Sequence, residues 1–266
     1  MITAAEKAMF EGNGYLIVKG VFGAEEVEML RDHFMRMHAN GPIPGHFEPA
    51  TEEEANGDIL KMYPRIMHPH VYDDVSMKYM LDSRVHVVLK QLFGEEAMAA
   101  QSMLYFKPPG AKGQALHQDN FYLRVEPGTC IAAWTALDRS DEENGGLFIV
   151  PGSQNSDILC PHTADPNVSF SRDEVDVPEG LTPVAAILEP GDVMFFNGSV
   201  IHGSYPNMSK DRFRRSFICH YVGESTTKIH HWYSRTWYED GTTVKLEQTD
   251  WGGPCGTEFD NLESVH

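Results

Sequence analysis

The chain holds two His-x-acid pairs, His46-Phe47-Glu48 and His117-Gln118-Asp119. A histidine and a carboxylate two residues apart, joined by a distant second histidine, make the ligand set that holds a ferrous ion on one side and leaves its other positions open. Spacing alone proves nothing, because thirteen histidines and 39 acids in 266 residues give about two such pairs by chance. Context separates them. His46 ends Gly41-Pro-Ile-Pro-Gly-His46, a stretch with no strand to fix ligand geometry, and reads as an exposed loop imidazole. His117 stands at the start of a predicted strand that runs through Val125. In an extended chain residues i and i+2 point to the same side, so His117 and Asp119 can converge on one ion while Gln118 faces away.

The distant partner is sought on another strand of the same sheet system. His202 lies 85 residues on, in Asn197-Gly-Ser-Val-Ile-His202-Gly-Ser204, after the turn Glu189-Pro-Gly-Asp192 and the apolar run Val193 to Phe196. Twelve residues past His202, Arg214-Arg215-Ser216 opens the last strand of this series, where Arg214 and Ser216 share a face. A guanidinium inside a barrel is costly unless a carboxylate meets it, and a bidentate fork is the usual solution. With two adjacent arginines one must face outward; Arg214 is the inward choice, and a dicarboxylate cosubstrate is the implied guest.

These residues need a scaffold. Thr3 and Glu6 form a capping box for a short helix ending near Gly12 or Gly14, followed by a strand, Tyr15 to Lys19. Val27, Leu30, Phe34 and Met37 place one apolar face on a helix from Ala24 to Ala39, and Met77 to Phe93, closed by Gly94, predicts another. The Pro/Gly/His-rich stretch from Gly41 to His70 reads as an ordered loop. After Ala100 the texture is all-β: Gln101 to Lys107, Gln118 to Val125, Cys130 to Leu137, Leu147 to Val150, Val184 to Leu188, Val193 to Phe196 and Arg214 to Val222. Seven or eight such strands must close or stack to protect their edges. The fold class expected is mainly β with flanking helices, a jelly roll. The polar segment from Ser153 to Gly180 reads as a long loop at its rim.

Composition excludes several partners. With 41% hydrophobic and 11% aromatic residues the chain can bury a sizeable core, and 21 basic against 39 acidic residues give a net charge of −18. Such a field repels nucleic-acid backbones and anionic membranes. No apolar run is long enough to span a bilayer, MITAAEKAMF lacks the make-up of a signal peptide, and NLESVH carries no peroxisomal tripeptide. A cytoplasmic protein is expected. Cys130, Cys160, Cys219 and Cys255 show no C-x-x-C spacing and are expected as buried thiols.

Taken together, the sequence resembles the phytanoyl-CoA dioxygenase-like Fe(II)/2-oxoglutarate oxygenases. The resemblance rests on Ser102-Met-Leu-Tyr-Phe-Lys107-Pro-Pro, His117-Gln-Asp119, Ala133-Trp134-Thr-Ala-Leu137, Gly145-Gly-Leu-Phe-Ile-Val-Pro151-Gly-Ser153, Pro190-Gly-Asp192, and His202-Gly-Ser204 with Asn207 and Arg214, in the family's order. It implies a double-stranded β-helix over one oxygenase domain, 1–266, with a helical part at about 1–99, the jelly-roll core at about 100–222 and a lid or packing segment at 223–266. It further implies iron held by His117, Asp119 and His202, and 2-oxoglutarate received by Arg214 and Ser204 beside Met103 and Trp134. The family often places the arginine eleven residues after the second histidine, where this chain has Phe213, so Arg214 and Arg215 both stay open as the anchor. Lys61 is the match for a basic residue that family members supply from the upstream loop.

The activity implied is hydroxylation of a C–H bond, using O2 and releasing succinate and CO2. Asp119 occupies the position that related halogenases leave open for chloride. The net charge disfavours an acyl-CoA, and a compact polar or zwitterionic metabolite is the expected substrate, walled by Lys61 to His70 and by His230 to Tyr238. A metal-dependent hydrolase or isomerase on the same ligands, and a catalytically silent binding module, are the alternatives; the hydrolase has no need of a buried Arg214.

Overall fold

The computed structural model describes residues 1–249 and Cys255. Helix α1 (Ala4–Asn13) begins at the Thr3–Glu6 capping box and ends at Gly14, whose φ of 80° is the left-handed conformation glycine supplies cheaply. Strand β1 (Tyr15–Val18) leads to α2 (Ala24–Ala39), which buries Val27, Leu30 and Phe34. The Pro/Gly-rich stretch folds into the short helices α3 (Glu52–Ala55) and α4 (Ile59–Met62) and the strand β2 (Ile66–Met67). The single helix expected from Met77 to Phe93 is two, α5 (Asp74–Met80) and α6 (Ser83–Phe93). Asp82 caps α6 by accepting from Arg84 N, which starts a new helix inside one apolar pattern.

The β part follows. Strand β3 (Ala97–Tyr105) precedes β4 (Gln114–His117), α7 (Asp119–Leu123), β5 (Ile131–Ala136) and β6 (Leu147–Ile149). The rim segment carries β7 (His162–Thr163) and β8 (Asp173–Glu174). Then come β9 (Val184–Ala185), β10 (Val193–Asn197), β11 (His202–Ser204) and β12 (Ser216–Gly223). After them stand β13 (Lys228–Ile229), β14 (Arg235–Trp237), β15 (Thr243–Lys245) and β16 (Glu247–Gln248).

The larger sheet runs β1-β10-β5-β12-β3-β14-β15, with β2 also on β3; the smaller runs β4-β11-β6-β9. Both are antiparallel throughout. Alternation along the strands separates two cores. Ile131, Ala133, Phe195, Phe217, Cys219 and Tyr221 face the helices and pack with Leu30, Phe34 and Leu89. Trp134, Met194, Phe196 and Ile218 face inward, toward Leu147 and Ile149 of the smaller sheet. This is the jelly roll expected, with its helices on one outer face.

Three expectations fail. No strand runs from Gln118 to Val125: Gln118 is extended, but Asp119 opens α7, and Arg124, at φ 51°, closes it. Asn120 N donates to Gly198 O, and Asn120 Oδ1 accepts from Val125 N, so local polar bonds outweigh the strand preference of Phe121 and Tyr122. Cys160 and Cys255 form a disulfide, a pairing across 95 residues that spacing does not reveal, while Cys130 and Cys219 are the buried thiols expected. His46 is half-buried, its Nδ1 donating to Met67 O at 3.1 Å beside the Tyr72 ring. Among the described residues no helix is long and apolar enough to cross a membrane.

Candidate active site

His117 ends β4 and His202 opens β11, and the two face each other in register across adjacent strands. Their rings lie 4.2 Å apart between centroids. Asp119 joins them from the first turn of α7, not from the same strand as His117, its Oδ1 standing 3.6 Å from His117 Nε2 and 3.7 Å from His202 Nε2. One ligand atom from each residue lies within 4.8 Å of the others, and all three side chains are buried.

The hydrogen bonds prepare this group for a metal. His117 Nδ1 donates to Ala115 O at 2.8 Å and His202 Nδ1 donates to Val200 O at 3.1 Å, which leaves both Nε2 atoms with their lone pairs facing inward. Gln114 Nε2 meets the His117 lone pair at 3.2 Å. Burial and the neighbouring His202 hold the His117 pKa down to about 3, against the pull of Asp119, so the ring is neutral as a ligand must be. Gln118 faces away as expected, its amide bonded to Ser199 O and Leu159 N. Two imidazoles with inward-facing Nε2 atoms and a carboxylate fit a ferrous ion.

A cationic end adjoins the group. Arg214, just before β12, is 2% exposed; its Nε donates to Gly145 O and its Nη1 to Ser216 Oγ, both at 2.9 Å. Burial lowers its pKa to about 10, a sign of how little compensates the charge. Arg215 is already committed, forking onto Asp138 at 2.7 and 2.8 Å. Trp134, 5.3 Å from the Arg214 guanidinium, and Met103 line the same cavity as the three metal-type ligands.

Ser204 accepts from Lys107 Nζ at 2.7 Å and from Gln114 N at 3.2 Å. Lys107 was not singled out from the sequence as a site residue. It is 2% exposed, and burial together with Arg214 pushes its ammonium pKa well down. Lys61, by contrast, is exposed on α4 and is not among the residues that line the cavity. Arg65 is the upstream cation that arrives: its Nη1 donates to the Tyr105 hydroxyl at 3.2 Å, and Tyr105 lines the cavity. His220 was also missed. It is fully buried on β12, with Nε2 2.9 Å from Asp119 Oδ2. Its signal was parity, since 214, 216, 218 and 220 fall on one face of the strand.

Comparison with known proteins agrees with this geometry. The family model described as phytanoyl-CoA dioxygenase (PhyH) matches residues 10–216. The chain belongs to the phytanoyl-CoA dioxygenase family. It is thus a dioxygenase of the iron- and 2-oxoglutarate-dependent class. Among curated members it is 27% identical over 246 residues to phytanoyl-CoA dioxygenase 1 of Oryza sativa subsp. japonica, covering 78% of this chain and 85% of that one. Two solved structures share the fold. EvdO2 of Micromonospora carbonacea var. aurantiaca, complexed with 2-oxoglutarate, has TM-score 0.67 at 20% identity, covering 94% and 95% of the two chains. The epimerase SnoN from nogalamycin biosynthesis, in complex with Fe3+, alpha ketoglutarate and nogalamycin RO, has TM-score 0.67 at 21% identity over 84% of each.

Proposed function

We propose that this family member hydroxylates a C–H bond of a small metabolite, consuming 2-oxoglutarate and O2 and releasing succinate and CO2. The observation that carries the reading is the buried His117–Asp119–His202 group beside Arg214, a buried cation with no carboxylate within ion-pair distance among the described residues. A hydrolase would need the first and not the second.

Bound iron would supply the oxidative chemistry, coupling decarboxylation of the cosubstrate to oxygen transfer. The chain's part is positioning. His117, Asp119 and His202 hold the ion; Arg214, steadied by Ser216 and Gly145, receives the far carboxylate of 2-oxoglutarate, with Ser204 and Lys107 beside it. Met103 and Trp134 wall the cosubstrate, and Leu147, Phe196 and Ile218 keep water out. We keep the cytoplasm as its place of action, to be checked by fractionating cells that carry the tagged chain.

The test is made anaerobically. The chain should take up one Fe(II) and, on addition of 2-oxoglutarate, develop a weak visible charge-transfer band. Asp119→Ala should lose both the band and iron-dependent succinate release. Iron uptake without a band favours the hydrolase reading, and an unchanged rate in Asp119→Ala removes that residue as a ligand. Succinate release across a metabolite library then reports the substrate.

A further inference from the structure

We propose that the Cys160–Cys255 disulfide is a redox-sensitive clasp around α7, and that its opening by a dithiol loosens the hold on Asp119 and weakens metal binding. The inference rests on the dioxygenase reading, which it deepens by naming a regulation of that site, and it is argued from where the two cysteines stand.

Asp119 comes from a short element. Helix α7 is five residues long and closes at Arg124, and a helix of that length has little stability of its own, so its neighbours fix its position. Two bodies do so. One is the rim segment: Leu159 N donates to Gln118 Oε1 at 2.8 Å, directly between His117 and Asp119 in the chain, and the Tyr122 hydroxyl donates to Asp173 Oδ2 at 3.2 Å. The same segment steadies β4, since Val175 N donates to Leu116 O. The other is the group from β13 to β16: His230 N donates to Leu123 O at 2.8 Å, Glu126 and Lys228 exchange backbone bonds, and Ile229, Tyr233 and Leu246 pack in one cluster with Leu123 and Val125.

The disulfide joins these two bodies. Cys160 follows Leu159 directly, and Cys255 lies seven residues past the end of β16, the strand that pairs with β13. The S–S bond therefore closes a covalent ring through both holds on α7, across 95 residues of sequence. A cross-link of that span acts by excluding opened states, so breaking it lets each body part from α7 without the other.

The bond is open to attack. Cys160 is exposed and Cys255 half-buried, and accessible disulfides are the ones that exchange. A thiolate of the dithiol attacks Cys160 Sγ, the S–S bond breaks, and Cys255 Sγ leaves and takes up a proton. The second thiol of the reductant then attacks the mixed disulfide and releases Cys160 as a thiol. Two electrons and two protons pass to the protein, and the reductant ends as its own disulfide. Cys130 and Cys219 are buried and take no part. The cytoplasmic placement proposed above fits a bond that is made and broken, since disulfides in that compartment are usually transient or redox-sensing.

The test compares three forms of the full chain: isolated under air, reduced with dithiothreitol and desalted anaerobically, and Cys255→Ser. On reduction, hydrogen exchange in residues 118–126 should speed up about tenfold or more while α2 keeps its protection. Mn(II) affinity, read by calorimetry, should fall about tenfold, the scale on which lost support of a metal ligand acts. Cys255→Ser should match the reduced chain in both readouts and ignore dithiothreitol; Cys160→Ser serves if that variant does not fold. Reoxidation should restore the first state. The clasp falls if the isolated chain carries all four cysteines as free thiols, or if dithiothreitol leaves the bond intact in the folded protein. It falls equally if reduction lowers the melting temperature but leaves Mn(II) affinity unchanged, which would make the bond a brace and no control of the site. Absence of Mn(II) binding in every form, with the exchange contrast intact, would keep the clasp around α7 and overturn the dioxygenase reading instead.

Discussion

Arg214 and Arg215 are neighbours in the chain with opposite surroundings, and the difference yields a measurable contrast. Arg215 closes a fork on Asp138 at the half-buried outer face, so Arg215→Ala removes a charge-assisted pair and lowers stability while leaving the cavity unchanged. Arg214 gives hydrogen bonds to a backbone carbonyl and a serine hydroxyl, and no carboxylate is within reach among the described residues. A carboxylate guest would therefore gain a charge-assisted contact that the empty fold does not already make. Arg214→Ala is expected to raise the 2-oxoglutarate requirement by about 100-fold, near the upper end of a charged hydrogen bond, and Arg215→Ala by less than about threefold. Titration of succinate release against 2-oxoglutarate reads both, and the reverse ranking would assign the anchor to Arg215.

Elements explain what the sequence motifs are for. Pro190-Gly-Asp192 does no chemistry. Asp192 accepts from Lys19 Nζ, Gly20 N and Glu189 N, which ties the end of β1 to the start of β10, and Gly191 O accepts from Phe22 N. Gly191 has a φ of 91°, and a Cβ there would lie 2.1 Å from Phe22 O. Gly191→Ala should cost at least about 2 kcal/mol from left-handed strain and backbone displacement together, read as a lower urea midpoint, with 2-oxoglutarate affinity of the remaining folded protein unchanged. A midpoint like the wild type's would show that this turn relaxes freely. The same level shows what was legible. The capping box of α1, the amphipathic face of α2 and the strands around Trp134 and Phe195 rest on local patterns, and the structure keeps them. The His-x-Asp pair reached the site by a route the pattern did not give, because α7 is set by bonds from Asn120 and by Gly198, far away in the sequence. Lys107, Arg65 and His220 stayed hidden for a related reason: a lone charged or titratable residue in a strand or loop carries no period, and only the closed barrel puts it beside Ser204, Tyr105 or Asp119.

At the scale of the whole molecule the site is divided between the two sheets. The three metal-type ligands come from β4, α7 and β11, on and beside the smaller sheet, whereas Arg214 stands at the head of β12 in the larger one. On the proposed reading, a metal alone would brace one sheet and its adjoining helix, whereas 2-oxoglutarate reaching from the metal group to Arg214 would connect both. Ligands that bind only the folded state stabilise it by about 2.7 kcal/mol at a hundred times their dissociation constant, about 5–10 °C in a chain of this size. Mn(II), which occupies such a site without turnover, should therefore raise the melting temperature by that amount, and 2-oxoglutarate should add a second increment only when the metal is present. Arg214→Ala should keep the first increment and lose most of the second, and Asp119→Ala should lose both. A 2-oxoglutarate increment that survives in Arg214→Ala at full size would mean that the cosubstrate does not link the two sheets through this guanidinium.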